Sequence, residues 1–430
     1  MSNATLQVGG GNWAAKDGKL LGYAVEPTSG RYLAREFTVN RNSSKWVLGS
    51  DGYLYEVPAD QPALEYYSDG TFRGALVEPE STNLVLRSEE FNNNYWLKNE
   101  VTLSANVAIS PNGQMNAYKL KATAVNNYHA LRGVVGYSSL YTGSCYLKKG
   151  EYRYAYVGIE RSSNSTVQSA IIDLETGLIT NSYSTTGTPL FNVVDVGNGW
   201  YRLNVTQIQN STGTSNVLTI GISDNGTYNS IILQRPRFTG DGTSGIYIWG
   251  AQLEQSPIAT SYIPTTTGAV TRLKDDISFT NASSVIGQSE GTLFVEVDWQ
   301  KTSGLSQIIL SINDDSVDNR LELFGLSGSD EIRLGIGSNG FTQTPLDVSS
   351  SGLTGIVKLA AAYADGDSEI YINGSSIGSG TPDLSSLATL TNVDFGQNWN
   401  SGGQANMWIR AVALFTTRLS DPECEALTTL

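Results

Sequence analysis

The chain has 430 residues, with 45 glycines, 22 tyrosines and only 16% charged residues, and a formal net charge of -14. At roughly 150 residues per domain this is enough for about three units, each able to bury a core, and such a composition favours short strands and tight turns over helices. Its 27 basic residues against 41 acidic ones lack the basic footprint that a phosphate backbone requires, so nucleic acid is excluded as a partner.

The first residues, 1–6, carry no basic stretch leading into an apolar core, and no window approaches the roughly 18 apolar residues of a membrane span. Synthesis and folding in the cytoplasm, with no membrane span, are therefore expected. Residues 1–82 read as a small irregular unit with short strands at 31–37, 45–48 and 53–57, separated by Asn, Ser, Asp and Gly turn chemistry. Residues 9–13, Gly-Gly-Gly-Asn-Trp, lack the Lys-Ser/Thr and the following helix of a phosphate loop and read as an arm.

Residues 83–272 change to regularly spaced strands, at 117–121, 143–148, 153–159, 169–173, 200–205, 217–222 and 246–249. That spacing predicts an antiparallel β-sandwich of the jelly-roll kind. In the last of these strands Ile246, Ile248, Gly250 and Gln252 alternate with Tyr247, Trp249, Ala251 and Leu253, so Trp249 reads as packing, as does Trp200. His129 is the only histidine, which excludes paired-His and Cys/His metal sites. Tyr128 and His129 together are a candidate sugar contact. Cys145 falls in this unit and Cys424 in the next, so both are expected as buried free thiols.

Residues 273–430 repeat the strand grammar, with alternating stretches at 291–299, 320–324 and 331–336 and a hairpin joining 357–363 to 369–373. A short helix is predicted over 420–427, where Ser420 or Asp421 caps and Pro422 occupies the first turn. Glu296 and Asp298, two apart, share one strand face, the arrangement a pair of glycosidase carboxylates would need. Asp314, Asp315 and Asp318, and separately Asp365 and Asp367, offer hard oxygen ligands in turns. A structural calcium is thus the candidate cofactor, and no other is called for. Trp399, flanked by Asn398 and Asn400 ahead of a Ser-Gly-Gly loop, is the second candidate glycan contact.

Three phrases occur in order: residues 74–91 (Gly-Ala-Leu-Val-Glu-Pro-Glu-Ser-Thr-Asn-Leu-Val-Leu-Arg-Ser-Glu-Glu-Phe) followed by Tyr95 and Trp96; residues 195–202 (Asp-Val-Gly-Asn-Gly-Trp-Tyr-Arg); and residues 245–254 running on to Thr271 and Arg272. As a set they resemble a recurrent module of tailed-bacteriophage tail and fibre proteins, itself similar to carbohydrate-binding-module jelly rolls. The last unit, from Glu290-Gly-Thr-Leu-Phe to its exit at 414–421, resembles a concanavalin A-like, laminin-G-type sandwich. The likeness spans about residues 30 to 430. It implies an all-β fold, two antiparallel sandwiches preceded by the N-terminal unit. It also implies a virion surface appendage or fibre subunit: a homo-oligomer, trimer favoured, attached to other virion proteins through residues 1–82 and binding a bacterial surface glycan or a protein. Concanavalin A-like glucanases carry Glu-x-Asp-x-Glu or Glu-x-Asp-x-x-Glu; here Gln300 and Lys301 stand where the last Glu would be. The general acid is missing, so no enzyme is expected. A tailspike-type polysaccharide depolymerase and a capsid or tail decoration protein without a host ligand remain the alternatives.

Overall fold

The structure, a computed structural model, describes residues 4–9, 14–16, 19–25, 29, 31–136, 138, 140–161, 167–185, 190–208, 215–228, 235–299, 306–326, 331–342, 346–349, 353, 355–400 and 402–430. Residues 10–13 of the expected N-terminal arm, and Gln300 and Lys301, lie outside the described residues.

The middle of the chain is a two-sheet antiparallel sandwich. One sheet runs, neighbour to neighbour, Trp96–Asn99, His129–Val135, Asn216–Ser223, Tyr154–Arg161, Val167–Asp173 and Ile179–Ser184. The other runs Val101–Ala108, Ala117–Ala122, Gly245–Glu254, Leu140–Lys148, Trp200–Ile208 and Leu190–Asp195. Because side chains alternate along a strand, each strand sends one set of apolar residues between the sheets: Leu131, Leu147, Val157, Ile172, Leu218 and Ile246 are all fully buried there. Cys145 is a buried free thiol in the same core, and burial pushes it well above its usual range.

The simple alternation expected along 246–253 breaks at one point. The register with Leu140–Lys148 shifts between Ser144 and Tyr146, and Gly250 sits at φ +60, where a Cβ would lie 2.9 Å from the Tyr146 ring. This bulge changes the core-facing set: Ile246 and Ile248 point into the sandwich before it, Ala251 and Leu253 after it. Trp249 is left on the outside of the sandwich. There it is fully buried against Tyr146, Trp200 and Tyr262 of the same unit and Leu48 and Leu54 of the N-terminal segment, so its packing role holds, with part of its cover supplied from outside the sandwich.

Leu48 and Leu54 lie on a two-stranded hairpin of their own, and the rest of the chain forms a second sandwich. In its first sheet Met407–Phe415 lies beside Glu290–Trp299, followed by Gly355–Ala364, Asp367–Ile372 and Ser375–Gly380. On its other side Met407–Phe415 pairs with two N-terminal strands: Leu6–Gly9 opposite Ala411 to Leu414, and Phe72–Val77 opposite Met407 to Ile409. Lys19–Val25 joins Leu6–Gly9 to Tyr32–Asn40, whose last residues cross over to pair with Asp276–Phe279 in the second sheet. That sheet continues through Asn392–Phe395, Gln307–Asn313, Arg320–Gly325 and Glu331–Ser338. Leu6, Val8, Leu20 and Phe37 are buried in one core with Leu293, Val295, Ile309 and Leu414.

The boundary expected at residue 82 is therefore redrawn. The N-terminal segment has the short, irregular strands anticipated, but they complete the C-terminal sandwich instead of standing apart. Leu6, Val8 and Phe37 find their apolar partners some 250 to 400 residues away. Ser81–Asn83 pairs antiparallel with Val270–Arg272, so the middle sandwich leaves and rejoins the other at a single two-stranded stem. It is an insertion. The one helix among the described residues, Asp421–Thr428, starts as expected, with Glu423 accepting from the Ser420 N–H at 3.1 Å and Cys424 on its buried face.

A buried set of charges surrounds the stem. Asp275 receives Arg41 at 2.9 Å, Lys45 at 2.5 Å and the Glu78 N–H at 2.9 Å, while Lys45 reaches Glu78 at 3.1 Å and Arg272 reaches it at 3.6 Å. All five side chains are 3% exposed or less. Burial alone would raise the Glu78 carboxyl, but Lys45 and Arg272 outweigh it and hold it down at about 2. Burial lowers the Lys45 ammonium despite its two carboxylate neighbours. Removing one member of such a set strands its partners without water. Asp275→Asn is therefore expected to lower unfolding free energy by about 3–5 kcal/mol in denaturant titrations, and a loss below about 1 kcal/mol, the scale of a surface pair, would contradict this.

Candidate functional site

The pair Tyr128 and His129 leads to the site but divides at it. His129 begins an inward-facing set and is fully buried, its Nδ1 2.6 Å from the Glu100 carbonyl, its Nε2 3.1 Å from the Phe238 carbonyl and its ring 4.5 Å from that of Phe238. Both ring nitrogens are spent on backbone, so His129 is not a sugar contact. Tyr128, one residue earlier, packs on the outside of the sheet against Tyr156 and its neighbours.

Strand register defines what that outer face carries. One row across the sheet is Arg132, Thr219, Gly158, Ser169 and Tyr183; the next is Ala130, Gly221, Tyr156, Ile171 and Asn181. The glycines let neighbouring side chains lie flat on the sheet: a Cβ at Gly221 would lie 2.3 Å from the Tyr156 ring, and one at Gly158 3.0 Å from the Ser169 Cβ. Tyr228 bonds Ser169 Oγ at 2.9 Å and meets Tyr183 edge-on at 6.4 Å. Arg235 stacks over Tyr128 at 4.3 Å and donates to Glu160 at 2.8 Å, while Arg132 approaches the same carboxylate at 3.4 Å. Two guanidiniums thus share one carboxylate, giving a locally positive spot on an acidic protein.

Polar atoms here are left over. Tyr156 Oη and Thr219 Oγ1 are essentially inaccessible, at 1% and 0% residue exposure, and they and Arg132 Nε have no hydrogen-bond partner among the described residues. Burial raises the Tyr156 and Tyr228 phenols well above the usual tyrosine range, so both stay protonated. The half-buried rings of Tyr128, Tyr183 and Tyr228, on one rigid sheet, can stack on the apolar face of a pyranose. The sequence carried part of this signal: Tyr154, Tyr156, Gly158 and Glu160 are two apart along one strand and must share a face.

The other expected sites do not assemble. Asn398 and Asn400 each turn a side-chain oxygen to the Gly402 N–H, at 2.7 and 3.1 Å, and Asn398 N–H donates to the Gly402 carbonyl. These amides hold their own loop, on the second sandwich, away from Tyr128. Trp399 is half-buried beside them. Asp314 accepts from Ser316 and Asn319, Asp365 from the Leu384 N–H, and Asp367 pairs with Arg418 at 2.8 Å; Asp315 and Asp318 lie in the turn between Asn313 and Asn319. Among the described residues no three acidic, His or Cys side chains gather as a metal site would require. Glu296 is held by Arg410 at 2.7 Å and Asp298 by Arg73 at 2.6 Å and Tyr67 at 3.0 Å.

No protein-family model matches the chain, and no curated protein matches it. Among solved structures it is similar to the carbohydrate-binding module CBM40 of the Ruminococcus gnavus IT-sialidase, at 17% identity and TM-score 0.30 over 35% of this chain and 88% of that one. It is also similar to domain 4 of AbnA, a GH43 arabinanase of Geobacillus stearothermophilus, at 18% and 0.30 over 40% and 82%, and to domains LG4-5 of the mouse laminin alpha1 chain, at 10% and 0.23 over 69% and 90%. Similarity at this level assigns neither ligand nor activity.

One acidic residue of the second sandwich does behave unusually. Asp394 is 8% exposed; burial, reinforced by Asp276, Asp315 and Glu322, raises its carboxyl to about 7, against a 2.7 Å bond from Asn313 that lowers it. A folded-state value above the unfolded one means that stability is fully present below about pH 4 and is lost as pH rises through about 7. Asp394→Asn should therefore match the parent's Tm near pH 4 and exceed it at pH 8 in calorimetric scans; equal melting at both pH values would contradict the assignment.

Proposed function

We propose that this chain is a non-enzymatic glycan-binding structural protein, and that it serves as a bacteriophage surface appendage or fibre subunit recognising a bacterial surface glycan. The observation that carries the binding role is the outer sheet face of the inserted sandwich, where the half-buried rings of Tyr128, Tyr183 and Tyr228 lie beside two guanidiniums that share the Glu160 carboxylate. The virion role draws on the three-phrase sequence resemblance. The ion pairs that occupy Glu296 and Asp298 support the non-catalytic reading.

An array of bacterial surface oligosaccharides tests the binding role. The parent should bind a restricted set, and Tyr183→Ala with Tyr128→Ala should weaken that binding by about 2 kcal/mol, roughly thirtyfold, while Tm changes little. A uniformly negative array would overturn glycan binding and leave the decoration reading, and new reducing ends from incubated capsule would instead mark a depolymerase. The absence of this chain from purified particles by mass spectrometry would remove the virion role.

A further inference from the structure

Between the two sandwiches, beside the charged stem, lies a cavity that the outer tyrosine face does not touch. It measures about 100 Å³, smaller than the roughly 300–1,000 Å³ of drug-sized sites, but like them it combines aromatic walls with a few placed polar groups. Trp46, Tyr146 and Trp408 supply walls here, and Asn204, Ser261 and Asn406 line the same space.

Of the charged residues around this cavity, Asp195 lies at its exposed edge, where it accepts from the Gly197 N–H at 2.9 Å, and Glu78 pairs with Lys45 and Arg272; the others are engaged too. Glu65 accepts from the Leu48 N–H at 3.2 Å and from Trp408 Nε1 at 2.5 Å; Arg73 is paired with Asp298; Arg202 donates to Ser144 and to the Thr260 carbonyl. The groups left over are neutral. Asn204 Oδ1, Asn406 Oδ1, Ser261 Oγ and Trp46 Nε1 are buried with no hydrogen-bond partner among the described residues, and the first three belong to residues 7%, 2% and 9% exposed. Two of these only accept, one only donates and one does both. An ion would find no unmatched charge in this set. A hydroxyl both donates and accepts, so adjacent hydroxyls on a small ring can satisfy the amides and the indole together.

We propose that this junction cavity is a second binding site, distinct from the tyrosine face, for a small neutral polyhydroxylated molecule of monosaccharide or polyol size. Binding there bridges residues of both sandwiches, Trp46 and Asn406 from one and Asn204 from the other.

Saturation-transfer-difference NMR on the full chain, with D-glucose, D-galactose and glycerol as probes, reads this directly. At least one probe should receive saturation, and Asn406→Leu should weaken it by about tenfold, the scale of one hydrogen bond lost. Trp46→Phe, which keeps the ring and deletes only the N–H, should weaken it as well, guarding against misfolding of the first variant. Tyr183→Ala should leave it unchanged, which separates this site from the outer face: loss of array binding with retained probe binding, or the reverse, overturns one reading and not the other. No transfer to any probe means that the cavity holds water only and overturns the proposal. Equal binding by parent, Asn406→Leu and Trp46→Phe would overturn it too, as would loss on Tyr183→Ala alone.

Discussion

Five buried charges hold the architecture together. Arg41 and Lys45 come from the N-terminal strands, Glu78 and Arg272 flank the stem, and Asp275 opens the strand that returns to the second sandwich. Each ion would be unfavourable alone in so dry a place, and each is stabilised only if the others are in register. The set therefore specifies how three distant stretches of chain meet. One backbone bond repeats the same join, the Asp275 N–H donating to the Glu78 carbonyl at 3.0 Å, while the Glu78 N–H donates to the Asp275 carboxylate at 2.9 Å.

This join explains which surface is left for recognition. One sheet of the inserted sandwich turns Tyr146, Trp200 and Trp249 outward, and the hairpin of Lys45–Leu48 and Leu54–Val57 together with Tyr262 covers them. The approach is close: Gly197 and Gly52, both at positive φ, meet with so little space that a Cβ on Gly197 would lie 3.1 Å from Gly52, and Asn198 donates to the Gly52 carbonyl at 3.0 Å. Among the described residues, the opposite sheet has no such cover from the second sandwich. Its outer face is where the tyrosines and unmatched hydroxyls lie.

Much of the fold was legible because alternation is local. The strands expected at 117–121, 200–205 and 291–299 correspond to Ala117–Ala122, Trp200–Ile208 and Glu290–Trp299, and the terminal helix lies within a residue of its expected span. Alternation says which face of a strand is buried and not what buries it, so the pairing of Leu6–Gly9 with a strand some 400 residues later was not readable. The bulge at Gly250 was hidden for a related reason, since one glycine among alternating residues does not announce a change of face. All three resemblance phrases turn out to wire the junction: Glu78, Ser81 and Asn83 in the first, Gly197 and Arg202 in the second, Trp249, Glu254 and Arg272 in the last. At the site, Tyr128 was singled out from the sequence as a candidate sugar contact, whereas nothing in the sequence pattern brought Tyr228 and Arg235 beside Tyr156 and Tyr128.

The claim on which the rest turns is that the N-terminal strands are structural members of the C-terminal sandwich. Native-state hydrogen exchange measures it directly. If Leu6–Gly9 is paired with Ala411 to Leu414, and the Thr5 N–H is bonded to the Leu414 carbonyl at 2.7 Å, amides of Thr5 to Gly9 that lie in this ladder should exchange as slowly as their partners in Met407–Phe415 and open with them in one cooperative unit. Fast exchange across residues 5–9 alongside a protected Met407–Phe415 would show a separate N-terminal unit and contradict the interlocked fold.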